Sequence, residues 1–187
     1  MNPTAYLSIL SVAERLKCNT RHSWTSSGRH ESVAEHSWRL ALMAMLAADE
    51  FPDLDMDRVI RMCIIHDLGE AFTGDIPAFD KTEADEQRED ALLRQLIGTF
   101  PTPARQEFSD LLQEMDALQT REARLYKALD KLEALISHNE ADLSTWLPLE
   151  YSLQLTYGQE LMDLTPWLRS LRDEVTAVTR NKIADQS

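Results

Sequence analysis

Residues 121–141, "REARLYKALDKLEALISHNEA", constrain the fold more than any other stretch of this chain. Leu125, Leu129, Leu132 and Ile136 recur at three- and four-residue intervals, which places them on one face of a long helix. A strand of that length would scatter the same residues over both faces. The period returns elsewhere. Tyr6, Leu7, Leu10, Ala13 and Leu16 form a stripe near the N-terminus, and Ala91, Leu92 and Leu96 form one on the charged segment 81–100. With only 5 glycines to punctuate the chain and no run of alternating β-branched residues, the expected fold is all-α.

Local signals divide that helical chain. Ser32 with Glu35 makes a capping box, so a helix is expected from there to about Ala48. Asp57 can open another that runs through Leu68. Thr102-Pro103 and Thr165-Pro166 each read as an N-cap followed by proline at the first helical position. Segment 19–31, "NTRHSWTSSGRHE", has no period and reads as a loop. No repeat, low-complexity segment or linker interrupts the pattern. At 187 residues and 43% hydrophobic content, one domain spanning 1–187 with a sizeable core is expected.

Composition narrows the function. Cys18 and Cys63 are far apart and form no CxxC, which leaves neither a disulfide framework nor a thiolate zinc site. No signal-peptide pattern opens the sequence and no apolar run reaches the ~20 residues that span a bilayer. A cytoplasmic protein without membrane attachment is therefore expected. The formal charge of −13 argues against a nucleic-acid polymer as partner, since that binding requires neutralising Lys and Arg. A small anionic substrate stays compatible, given a local basic pocket or a cation.

Ligand-type residues sit on three of the expected helices. His36 falls in the first turns of the second, His66 and Asp67 near the end of the third, and Asp130 inside the apolar run 125–136. Burying imidazole and carboxylate groups costs free energy unless they find partners. Converging, these four suit one divalent transition metal, Mn, Co, Fe, Ni or Zn, with coordination positions left for water and substrate. Taken alone, Asp130 can equally pair with Lys127, Lys131 or Arg124.

As an ordered set, His, then His-Asp, then a late Asp, the pattern resembles the HD-domain metal-dependent phosphohydrolases. "RLKCNTRHSW", "ESVAEHSWRLA", "IIHDLGEAFTGDIPA" and "KALDKLEALI" are similar to one branch, the 5′-deoxynucleotidases that remove phosphate from deoxyribonucleoside monophosphates. The matching stretches span about residues 15–140. The resemblance implies a helical HD-domain bundle with its metal between helices. It implies His36, His66, Asp67 and Asp130 as ligands, Glu70 as the acid that positions the attacking water, and Asp75 as a neighbouring substrate-side or proton-transfer carboxylate. It further implies Arg21 for phosphate, Trp24 to crowd the sugar's 2′ position, and a homodimer. Here two residues separate Arg21 from Trp24, and Arg29 and His22 are the next phosphate candidates. His30 and His138 are expected on a loop and a helix surface.

Relatives with two metals recruit extra histidines between the HD pair and the last Asp. This chain has none from Leu68 to Leu129, which favours a mononuclear site. Two other functions share the pattern: phosphohydrolysis of another nucleotide such as a triphosphate, and a non-catalytic helical module that keeps its metal for structure. Glu70 and Asp75 favour an enzyme, because a structural site needs no acid beside an open coordination position.

Overall fold

A computed structural model describes residues 1–185. The helices are α1 (Pro3–Ala13), α2 (Val33–Leu46), α3 (Met56–Ile65), α4 (Glu70–Thr73), α5 (Glu83–Gly98), α6 (Ala104–Ala117), α7 (Arg121–Glu140), α8 (Glu150–Thr156) and α9 (Pro166–Ala184). Between α1 and α2 the chain makes a two-stranded antiparallel hairpin, β1 (Thr20–Trp24) and β2 (His30–Ser32), with Thr20 opposite Ser32 and Trp24 opposite His30. The periodless segment is therefore a hairpin and not a loop. Its strands are too short and too polar to show alternation. What fixes them is contact with β2's continuation into α2 and with α7 behind.

α7 is the axis of the bundle. Leu125, Leu129 and Leu132 are fully buried against Leu40 of α2 and the Val59 and Met62 of α3 in one apolar core, which Leu168 of α9 also joins. Ser32 caps α2 as its sequence predicts: its hydroxyl accepts from the Glu35 N–H while the Glu35 carboxylate accepts from the Ser32 N–H. Thr165 caps α9 with its hydroxyl alone, which accepts the Leu168 N–H, and Pro166 stands in the first turn. Thr102 does not cap α6, which begins one residue past Pro103; the Arg105 N–H goes instead to the Pro101 carbonyl.

Two apolar faces differ from expectation. α5 turns Leu93, Leu96 and Ile97 inward and leaves Ala91 exposed. On α1, Tyr6, Leu7 and Leu10 face outward, while Ile9, Val12 and Ala13 pack on the core. Among the described residues no helix is long and apolar enough to cross a membrane.

Candidate metal centre

α3 stops at Ile65, three residues before the expected end, and the chain winds on in tight i→i+3 turns to α4. Leu68 N–H bonds to the Ile65 carbonyl and Glu70 N–H to the Asp67 carbonyl, at 3.0 Å each. This tightening aims His66 and Asp67 at α2 and α7. Gly69 allows it by closeness of approach, since a Cβ there would lie 2.7 Å from Glu89 Cγ of α5. Gly74 then ends α4 at φ +75°, a conformation that other residues resist, and the chain turns to present Asp75.

The four expected ligands come together. Nε2 of His36 lies 3.1 Å from Nε2 of His66, 3.2 Å from Asp130 Oδ1 and 3.7 Å from Asp67 Oδ2. His66 Nε2 is 2.9 Å from Asp67 Oδ2 and 3.6 Å from Asp130 Oδ1. Each imidazole uses its other nitrogen elsewhere. His36 Nδ1 meets the fully buried Glu133 carboxylate, and His66 Nδ1 bonds to the Cys63 carbonyl at 2.9 Å. Both rings are thus held with Nε2 facing the shared point, the way metal-bound histidines are oriented. The donor chemistry, two imidazole nitrogens and two carboxylates, fits a divalent transition metal.

Electrostatics favour a cation there. Burial alone would strip His66 of its proton, yet Asp67 and Asp130 outweigh it and push its pKa up to about 10. The imidazole supplies the positive charge that these carboxylates demand. Lys127 supplies more, with Nζ 2.8 Å from Asp130 Oδ2. Of the pairings open to Asp130 in the sequence, the one with Lys127 is formed, while its Oδ1 faces the two imidazoles.

Glu133 escaped sequence analysis. It stands three residues after Asp130 and four after the buried Leu129, which was the available signal, but it reads as one more charge on a polar face. Ser137 Oγ donates to its Oε1 at 3.0 Å. Glu133→Gln is expected to weaken metal affinity ~10–100-fold, the usual effect of losing a carboxylate behind a ligating histidine. Competition titration against a chelator dye measures this.

Glu70 is buried, and its Oε2 has no hydrogen-bond partner. Burial first, and then the charges of Asp67, Asp75 and Glu89, push its pKa up to about 9. Asn19, also unforeseen, holds the backbone there, its amide donating to the Glu70 carbonyl at 2.6 Å. Asp75 Oδ2 accepts the His22 backbone N–H at 3.3 Å. Arg21, on β1, points toward the same place, with Nη1 4.0 Å from Asp67 Oδ2 and Nε 3.6 Å from Glu31 Oε2. Burial opposes its charge; Glu133, Asp67, Glu31 and Asp75 hold it firmly protonated. Its Nε finds no hydrogen-bond partner.

Other candidates go elsewhere. Trp24 packs on its cross-strand neighbour His30, ring centroids 3.9 Å apart, and does not line the cavity that Arg21 and Asp75 border. Arg29 forms an exposed fork with Glu35, 2.9 and 2.5 Å. His30 opens strand β2, and His138 is buried, not on a surface, because the C-terminal helices cover that side of α7.

Comparison with known proteins shows the family. The sequence pattern described as HD domain matches residues 13–171. The chain is 32% identical over 138 residues to the 5′-deoxynucleotidase HDDC2 of Homo sapiens, covering 72% of this chain and 67% of that protein. It is 32% identical over 145 residues to the protein of the same name from Dictyostelium discoideum, covering 72% and 76%. Among solved structures it is similar to a predicted metal-dependent phosphohydrolase from Magnetospirillum magnetotacticum MS-1, 33% identical, with a TM-score of 0.75 over 94% of this chain and 93% of that one.

Proposed function

This chain belongs to the HD domain family, and from that premise we propose that it is a metal-dependent phosphomonoesterase converting 5′-deoxyribonucleoside monophosphates to deoxynucleoside and phosphate. The observation that carries the reading is the meeting of His36, His66, Asp67 and Asp130 side chains beside a half-buried arginine whose Nε has no hydrogen-bond partner. In this proposal those four residues hold one divalent transition metal, Mn, Co, Fe, Ni or Zn. When bound, such an ion supplies Lewis acidity to the phosphoryl group and acidifies water at neutral pH.

The chain's own residues do the rest. Arg21 offers its guanidinium fork to the phosphate oxygens, a bidentate match. Glu70 takes the proton of the attacking water; its unpartnered, buried oxygen is free for that contact. A cation and a bound arginine nearby would favour the ionised form that this role needs. Asp75, fixed by the His22 N–H, stands on the substrate side and relays a proton toward the departing 5′ oxygen. Glu133 keeps His36 in the required orientation.

A substrate panel tests the assignment against its nearest rival, a phosphohydrolase for nucleoside triphosphates. Phosphate release with Mn²⁺ or Co²⁺ should be fastest on deoxynucleoside monophosphates, slower on the ribonucleotides and slowest on deoxynucleoside triphosphates. Preference for triphosphates would hand the site to the rival.

A further inference from the structure

The cavity that begins at Arg21 and Asp75 continues away from the metal-ligand cluster, between β1, the segment after α4, α7 and α8. Its enclosed volume is about 120 Å³, and it opens to solvent at its mouth. At its other wall a group unrelated to the family pattern has collected. His22 Nε2 lies 3.0 Å from Glu150 Oε1, and His138 Nε2 lies 3.4 Å from Glu150 Oε2. Neither approach is aligned as a hydrogen bond, so both nitrogens are left without a partner, that of His138 deep inside the protein. Glu150 itself is fixed, accepting the Leu147 N–H at 2.6 Å, and Trp146 stacks on His138 with centroids 4.5 Å apart. The Phe79 ring stands edge-on to His22 at 5.6 Å.

Burying a carboxylate between two imidazoles is costly, and α8 could have been docked with apolar residues. The placement has a measure. His138 follows Asp130 by eight residues on α7, a rise of about 12 Å, so the cluster stands a sugar and a base away from where the phosphate would sit. We propose that this cavity seats the nucleoside half of the substrate, that His22 is the side chain that meets the base, and that Glu150 is its positioning residue. The inference rests on the proposed monophosphate chemistry and specifies which part of the substrate is read. His22 is thereby a base contact and not a phosphate contact.

The test compares deoxynucleoside monophosphates with 2-deoxyribose 5-phosphate, which has the phosphate and sugar but no base. In His22→Ala, and independently in Phe79→Ala, the ratio of kcat/KM between the two substrates should fall about 10-fold, the scale of one lost hydrogen bond or ring contact. The change should lie in the nucleotide KM. Glu150→Gln should raise that KM with little effect on kcat; an equal fall in kcat would make it a purely structural residue and overturn its part. Calorimetric titration of the purified protein with deoxynucleosides, which carry no phosphate, runs beside the kinetics. Binding that weakens in His22→Ala supports the inference. An unchanged ratio in both variants, or a wild-type protein that binds no deoxynucleoside, overturns it. If the wild type releases no phosphate yet binds deoxynucleosides through His22, the proposed reaction fails and the nucleoside site stands.

Discussion

Asp130→Ala is expected to lose bound metal and phosphatase activity together. Asp130 Oδ1 sits 3.2 and 3.6 Å from the two imidazole nitrogens, on a face of α7 that also carries Lys127 and Glu133. Removing a ligand should cost more than the ~10–100-fold in affinity that accompanies loss of a group behind one. The variant also leaves Lys127 without its 2.8 Å partner, facing His66 across the space vacated by the carboxylate. Asp130→Asn keeps the shape and controls for that disturbance. Elemental analysis of both purified variants decides: stoichiometric metal in either one removes Asp130 from the ligand set.

Glu70→Ala is expected to separate chemistry from metal binding. The fold should survive, because the substitution removes a buried oxygen that has no partner and whose ionisation burial opposes. Metal content should stay at wild-type level. Turnover should drop ~10²–10⁴-fold, the usual loss when a general base disappears, while KM changes much less. Asp75→Asn, which keeps an acceptor for the His22 N–H, should give a similar or smaller loss. A Glu70→Ala protein within a few-fold of wild type in kcat leaves the mechanism without its base, and one that loses metal makes Glu70 part of the ligand shell.

The site was legible where chemistry sat against helical pattern. Asp130 among leucines and His36 one turn after a capping box are conspicuous because a polar group on a buried face needs a reason. The bundle itself followed from the period of α7 and from the caps at Ser32 and Thr165. What stayed hidden depends on contacts between distant residues. β1 and β2 have five and three residues, polar apart from Trp24, and exist by packing on their neighbours, which no local pattern announces. Glu133 resembled any solvated charge of a long helix until its neighbours across the bundle were known. His22, His138 and Glu150 meet across 128 residues of sequence from one end of the group to the other (150 − 22). Trp24 shows the converse: an indole three positions after Arg21 turned to its cross-strand partner. The stripe of Tyr6, Leu7, Leu10, Ala13 and Leu16 divides: Ala13 and Leu16 meet the core while Tyr6, Leu7 and Leu10 face outward, because spacing alone does not say which side the core lies on.

In the proposed reaction four side chains hold a divalent metal without which this chain releases no phosphate. Stripping the purified protein with EDTA, assaying a 5′-deoxynucleoside monophosphate for inorganic phosphate, and then titrating Mn²⁺ or Co²⁺ back tests it in one series. The account predicts no release from the stripped protein and recovery that saturates as metal is restored. Full activity after metal has fallen below detection would contradict it.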